Sequence, residues 1–278
     1  MLRHKLFILS IAVLLTSGCA GRSVESRLDI ASTVASEAGF NAVTISTQPF
    51  KLATYQRLQR KNQVITLYIE GDGVAWIDRY TISSNPTPRD PLVLRLASQD
   101  KTGNVVYMAR PCQYVDLKFE RSCNNAYWTS HRFSKTVIEA YDQALTQLAS
   151  AIHGKGFHLI GYSGGGAIAA LLAAKRTDVL SLKTIAGNLN HGALNKARRV
   201  SPLTGSLDAI NVANQLKNMP QIHYSGGDDD VVPAWVTQSF VRKVGNSSCV
   251  GREIIKNVTH TDGWLRFWQS QYVNRAKC

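Results

Sequence analysis

Ser163 is the residue whose surroundings most favour covalent chemistry. It lies in the run GYSGG, residues 161–165, which fits the G-x-S-x-G pattern of a nucleophilic serine. A strand-like run precedes it at 157–161, and a helix-like run follows at 165–176. A serine on such a sharp turn needs small neighbours, because larger side chains would collide with the backbone. The pattern predicts that Ser163 is a nucleophile; the alternative is a glycine-rich connection without chemistry.

A serine hydroxyl needs a base to remove its proton and a further group to orient that base. His260 follows a predicted strand, REIIKNV, and precedes the last predicted helix. Three adjacent acids, Asp228, Asp229 and Asp230, follow an earlier strand, QIHYSG. The order serine, acid, histidine is one in which catalytic triads occur. We therefore expect Ser163, His260 and one of these acids to come together.

His191, in the run GNLNHGAL, is the main rival to His260 as the base. It follows the serine but precedes the three acids, which breaks the triad order. We expect His191 to lie near the site as a residue of a substrate loop.

An acyl-transfer site also needs two N–H donors for the oxyanion that forms on the substrate. Gly164, the residue after the serine, would supply one of them. The second would come from the loop after an earlier strand, and LYIEGDGVAW, residues 67–76, has that context. The Asp72 N–H is the expected donor in this loop. The alternative interpretation of EGDG is an ordinary β-turn.

The elements that must position these residues alternate between strand-like and helix-like runs. The predicted strands occupy residues 64–70, 104–110, 157–161, 179–187, 221–226 and 252–258. Strands that alternate with helices predict a mainly parallel sheet with helices on both faces. We expect a single α/β domain over residues 49–278. The segment between two predicted strands, residues 187–219, is short for a cap. A short cap favours an open pocket and a bulky or polymer-borne substrate.

With these motifs, the chain resembles the α/β-hydrolase superfamily from roughly residue 60 to 272. More narrowly, it is similar to bacterial α/β-hydrolase lipoproteins that share EGDG.AW, ARPCQY…C…YWT..RFS and GYSGG. The resemblance implies the α/β-hydrolase fold and a triad, but no established substrate. Its acid-loop pattern, G-x-x-D-x-V-V-P, selects Asp229. Glu70 departs from the His-Gly-x-Gly that is frequent at the oxyanion loop of related enzymes.

The segments RPCQY and CNNAYWTSHRFS would form a loop near the carboxyl edge of the sheet, where ligands bind in open α/β sheets. Tyr114 and Trp128 are candidate pocket-wall residues, together with Tyr127 and Arg132. Aromatic packing alone would explain the aromatic residues equally well.

The N-terminus has the features of an export signal. Arg3 and Lys5 precede the apolar run LFILSIAVLL, which ends near Gly18-Cys19. This resembles the lipobox of bacterial lipoproteins and implies a signal peptide at 1–18, lipidation of Cys19 and a tether at 19–48. An ordinary signal peptide or an uncleaved anchor is the alternative.

Four further cysteines remain, which suits an oxidising compartment. They permit three pairings, and we favour the local one, which joins Cys112 to Cys123 and Cys249 to Cys278. Each pair would close a modest loop.

The formal net charge of +13 favours contact with anionic surfaces such as lipid headgroups or cell-wall polymers, and equally favours solubility. The basic run NKARR has no interleaved aromatics, so we expect no nucleic-acid partner. The histidine spacing indicates no metal site, and we expect no cofactor.

These observations predict a membrane-anchored serine hydrolase of the bacterial cell envelope, facing the periplasm or the cell surface. Its substrate would be an ester, lipid-like or envelope-polymer compound; thioester and peptide cleavage stay open. The alternative is a non-catalytic, membrane-anchored binding protein that retains the hydrolase fold.

Overall fold

The computed structural model describes residues 23–271 and 276–278. The predicted signal peptide and the predicted lipidation site, Cys19, lie outside this part of the chain. The strands are β1 (Asn41–Ser46), β2 (Lys51–Leu58), β3 (Ile65–Ile69), β4 (Asn104–Met108), β5 (Phe157–Tyr162), β6 (Val179–Ile185), β7 (Gln221–Gly226) and β8 (Val250–Ile255). The α-helices are α1 (Val24–Glu37), α2 (Leu92–Gln99), α3 (Lys135–Ile152), α4 (Gly164–Lys175), α5 (His191–Arg198), α6 (Ala234–Val244) and α7 (Trp264–Gln271).

The eight strands form one sheet in the order β1-β2-β4-β3-β5-β6-β7-β8. From β4 to β8 every neighbouring pair is parallel, whereas β1–β2 and β2–β4 are antiparallel. The pairing confirms the prediction of a mainly parallel sheet. Connections between parallel strands cross over a face of the sheet, usually through a helix.

Side chains on the central strands alternate between two hydrophobic clusters, because successive strand residues point to opposite faces. Leu67 and Leu159 pack with residues of α3, α4 and α6. Their neighbours Tyr68 and Ile160 pack on the other face with residues of α1, α2 and α7. Helices therefore cover both faces, as the alternation of elements predicted.

Helix α3 begins with a side-chain cap. The Ser134 side chain accepts a hydrogen bond from the Val137 N–H, which satisfies one of the N–H groups that a helix start leaves unpaired. The apolar side chains of α3 are buried in the cluster that also contains Leu67 and Leu159.

Two elements form within the segment 19–48 that was expected to be a tether. Helix α1 lies there, and β1 pairs with β2 along its whole length. In residues 187–219, considered above as a short cap, α5 is followed by a 3₁₀-helix, Ala209–Leu216.

Candidate active site

Ser163 occupies a strained turn between β5 and α4. Its backbone has φ +50° and ψ −119°, which side-chain-bearing residues seldom adopt. A Cβ atom at Gly161 would lie 2.2 Å from the Gly165 carbonyl oxygen, so the turn requires glycine there. The strand, the sharp turn and the helix are thus all present where the sequence predicted them.

The loops after β7 and β8 bring two further side chains to this turn. The Nε2 atom of His260 lies 3.0 Å from the Ser163 Oγ, and its Nδ1 atom lies 2.9 Å from the Asp229 Oδ2. The imidazole is largely buried and the Asp229 carboxylate is fully buried. An imidazole held in this way can accept the serine proton while the carboxylate stabilises the resulting cation.

The three adjacent acids have different environments. Asp229 is buried, and its Oδ1 accepts hydrogen bonds from the backbone N–H groups of Val231 and Val232, at 2.9 and 2.8 Å. Asp228 and Asp230 are exposed. Of the three acids, Asp229 is the one hydrogen-bonded to the imidazole, which agrees with the residue that the acid-loop pattern selected.

The loop after β3 lies over the serine. A Cβ atom at Gly71 would lie 3.3 Å from the Ser163 Cβ, and one at Gly164 would lie 2.1 Å from the Asp72 Oδ1. Gly164 is the first residue of α4, so its N–H has no acceptor within the helix. The two residues that sequence analysis named as oxyanion donors are thus neighbours beside the Ser163 side chain.

Two arginines hold the Asp72 carboxylate. Arg110 Nη1 donates to Oδ1 at 2.8 Å, and Arg132 Nη1 donates to Oδ2 at 2.7 Å. Burial alone would raise the pKa of Asp72, but Arg132 and Arg110 lower it below its ordinary value. A second Arg110 nitrogen donates to the Arg132 carbonyl, which ties the two arginines together. Asp72 is therefore an anion that joins the loop after β3 to Arg110, which follows β4, and to Arg132, in the segment before α3.

The Glu70 carboxylate is buried. One oxygen accepts from the Gly71 N–H at 2.8 Å, and the other accepts from the Tyr107 hydroxyl at 3.0 Å. Burial raises the pKa of Glu70 to about 7, despite the lowering effect of these two hydrogen bonds.

A cavity of about 700 Å³ opens above the serine and histidine. Its lining includes residues of the loop after β3, the loop before α2 and the loop between β8 and α7. The lining residues that sequence analysis did not name as candidates include Trp76, Arg89, Leu92, Val231 and Asp262. Trp76 is the last residue of the EGDG.AW motif, so this motif could have identified Trp76 as a residue of the site.

Three residues that the sequence placed at or near the substrate, Tyr114, Trp128 and His191, do not line this cavity. Trp128 is buried in the core and donates through Nε1 to the Ser83 carbonyl. His191 is buried against the Phe133 ring, with Nε2 at 3.1 Å from the Leu207 carbonyl. The Tyr114 ring packs edge-on against Tyr107.

The expectations that Tyr114 and Trp128 form the pocket wall, and that His191 lies at the site in a substrate loop, are therefore corrected, because all three pack outside the cavity lining. Arg132, from the same predicted wall, does line it.

Both favoured disulfides are present, Cys112–Cys123 and Cys249–Cys278. The first closes the loop that follows β4, and the second joins the residue before β8 to the last residue of the chain. Disulfides of this kind indicate an extracytoplasmic protein. Within residues 23–271, none of the helices combines the length and apolar character needed to cross a bilayer.

No protein-family model matches this sequence, and a search of curated proteins gave no match either. Solved structures do match its fold. Est1E from Butyrivibrio proteoclasticus has a TM-score of 0.57 and 13% identity, over 82% of this chain and 94% of that one. An alpha-beta serine hydrolase homologue from Coxiella burnetii has a TM-score of 0.57 and 17% identity, over 82% and 93%.

A membrane phospholipase A, described as a bacterial virulence factor, aligns with a TM-score of 0.54 and 19% identity over 86% of each chain. Identities this low establish a shared architecture and nothing finer. With the parallel sheet and the helices on both faces, they show that the chain has the α/β-hydrolase fold.

Proposed function

We propose that this chain is a serine hydrolase that cleaves an ester-type bond through Ser163, His260 and Asp229. The observation that carries this proposal is the continuous hydrogen-bonded series from the Ser163 Oγ through both imidazole nitrogens to the buried Asp229 carboxylate. Packing does not need such a series at the bottom of an open cavity, whereas nucleophilic catalysis does.

In the proposed mechanism, the Ser163 Oγ attacks the carbonyl carbon of the substrate as its proton passes to the His260 Nε2. Asp229 accepts from the Nδ1–H and stabilises the imidazolium. The N–H groups of Gly164 and Asp72 donate to the oxyanion of the tetrahedral intermediate. Collapse of that intermediate expels the alcohol, which takes the proton from His260 and leaves an acyl-serine.

Water then completes the cycle. It attacks the acyl-serine, His260 removes one of its protons, and the second tetrahedral intermediate releases the carboxylic acid and restores the Ser163 hydroxyl. An ester is favoured over an amide because its alcohol leaves more readily. The names of the structural neighbours, which include a serine hydrolase homologue and a phospholipase A, agree with hydrolytic chemistry.

A fluorophosphonate probe tests the reaction class. It should label the wild-type protein, and Ser163→Ala should abolish labelling without changing the melting temperature. A folded wild-type protein that takes up no label would contradict the hydrolase proposal and would favour a binding protein that retains the fold.

We also propose that the protein is a lipoprotein of the bacterial cell envelope, with Cys19 as the acylated residue. The lipobox-like run GC at residues 18–19 and the two disulfides support this location. Cys19→Ala should move the protein from the membrane to the soluble fraction after cell lysis. An unchanged distribution would contradict the anchor but not the hydrolase activity.

A further inference from the structure

A small hairpin projects beside the cavity, formed by residues 75–83 and here called the rim hairpin. Trp76 and Ile82 pair across it in an antiparallel bridge. At its tip, the side chains of Ile77 and Tyr80 are 53% and 83% exposed. Trp76 and Ile82 are also exposed, at 41% and 36%, so the hairpin gathers four large apolar or aromatic side chains at the surface. Grouped exposure of this kind marks interaction sites, whereas single exposed apolar residues do not.

The backbone of the tip is satisfied internally. The Ile77 N–H donates to the Thr81 carbonyl at 2.8 Å. The Asp78 Oδ1 accepts from the N–H groups of Tyr80 and Thr81, each at 2.8 Å. The tip can therefore leave water without exposing these N–H groups to an apolar environment, where an unpaired one would be costly.

The base of the rim hairpin is fixed to the protein. The Ser83 N–H donates to the Ala75 carbonyl at 3.1 Å, and the Ser83 carbonyl accepts from the buried Trp128 indole at 3.0 Å. Trp128 thus joins the base of the hairpin to the core.

The apolar tip is continuous with the entrance to the site. Trp76 lines the cavity from the hairpin side, and Val231, which is 46% exposed, lines it from the Asp229 loop. A surface that covered the tip would therefore also cover the mouth above Ser163.

The shape and chemistry of the tip indicate what covers it. A convex tip of two or three side chains is too small for a stable protein interface, which needs about 800 Å² from each partner. Tyrosine and tryptophan favour the boundary between water and lipid acyl chains. Arg79 lies beside the Tyr80 ring, and the chain carries a net charge of +13, which complements anionic headgroups.

We propose that the rim hairpin inserts Ile77 and Tyr80 into the surface of a phospholipid bilayer, so that the cavity takes its ester substrate from the membrane. The substrate part of this inference rests on the hydrolase activity proposed above, whereas the insertion does not. An amphiphile with its acyl carbonyl near the headgroup level would then reach Ser163 without crossing water.

Fluorescence quenching tests the insertion. Full-length Tyr80→Trp and Leu180→Trp, both in a Ser163→Ala background, are reconstituted in phosphatidylglycerol-containing vesicles with and without brominated lipid. Leu180 is a matched control, because it is 42% exposed and lies near the amino end of β6, at the opposite edge of the sheet from Ser163.

We expect the added tryptophan to be quenched at least twofold more at position 80 than at position 180. Equal quenching at the two positions would overturn the insertion. It is the result expected if a protein partner covers the tip, because pure lipid vesicles contain no such partner. Because Ser163→Ala cannot turn over, this outcome is independent of the probe labelling that tests the hydrolase.

Kinetics test the substrate route. Ile77→Ser/Tyr80→Ser should lower the ratio of vesicle-ester hydrolysis to dissolved-ester hydrolysis at least fivefold, whereas Leu180→Ser should leave this ratio at the wild-type value. An unchanged ratio in the double variant would overturn the route from the membrane.

Discussion

The hydroxyl of Tyr162, the residue before the nucleophile, donates a 2.9 Å hydrogen bond to the backbone carbonyl of His260. The two rings also lie against each other, with centroids 5.2 Å apart. Burial raises the pKa of Tyr162 well above its usual range, so the hydroxyl stays a donor at any pH of interest. The residue at the variable position of G-x-S-x-G thus contacts the proposed general base, a contact that the motif itself does not specify.

Tyr162→Phe should lower kcat about fivefold and change KM little, because one hydrogen bond of about 1 kcal/mol is lost. The effect stays modest since the Trp264 indole also donates to the His260 carbonyl, at 2.9 Å. Steady-state kinetics with a soluble ester measure it, with Tyr55→Phe as a control for the loss of a buried hydroxyl elsewhere. Wild-type kcat in Tyr162→Phe would show that the contact has no part in positioning the base.

The local elements of this fold could be read from the sequence because each carries its own pattern. Strand β7 has the predicted bounds, Gln221–Gly226, since Pro220 before it and the Gly-Asp run after it delimit a short segment. Strand β1 had no such signal. It is an edge strand, mostly exposed, and its mixed polar and apolar composition could not be distinguished from a tether.

Contacts between distant segments could not be predicted in the same way. Asp72 is 38 residues from Arg110 and 60 residues from Arg132, and no local pattern links them. Similarly, Trp128 has a composition that suits either a pocket wall or a core, and only its buried contact with Ser83 identifies it as packing.

Asp229→Asn should lower kcat by about 10³- to 10⁴-fold, because an amide can no longer hold the imidazole in the required tautomer or stabilise its cation. Asp228→Asn and Asp230→Asn are matched controls in the same loop. Both side chains are exposed, so each control should keep kcat within about threefold of wild type.

Single-turnover measurements on the three variants would show which of the three acids supports catalysis. A large loss at position 228 or 230 with little loss at position 229 would mean that the acid has been assigned to the wrong residue.

Asp72→Asn should reduce both stability and turnover, because it leaves Arg110 and Arg132 without their shared carboxylate. Breaking a buried ion pair costs about 3 kcal/mol, so we expect the free energy of unfolding to fall by about that amount. The oxyanion loop loses its attachment at the same time, and kcat should fall at least tenfold.

Urea unfolding and steady-state kinetics on Asp72→Asn measure these two effects. Arg132→Met removes one of the two pairs and should give a smaller loss of stability. An Asn variant as stable and active as wild type would mean that the arginine pair does not hold this loop.

Glu70 should make the folded state less stable as the pH rises from about 4.5 to about 7. Its ordinary pKa is 4.5, and burial raises the pKa to about 7 in the folded protein. Between these values the folded state keeps a proton that the unfolded chain has lost, so folding is favoured at the acidic end and progressively less favoured toward pH 7. At about 1.4 kcal/mol per pH unit, the loss attributable to Glu70 is about 3 kcal/mol.

Glu70→Gln removes the titrating group but keeps an acceptor for the Gly71 N–H. Relative to wild type, it should therefore gain about 3 kcal/mol of stability between pH 4.5 and pH 7. Urea unfolding at both pH values measures this difference, and Glu253→Gln, at an exposed position on β8, is the control. A stability difference between wild type and Glu70→Gln that does not vary with pH would mean that burial does not raise the pKa of Glu70 in the folded protein.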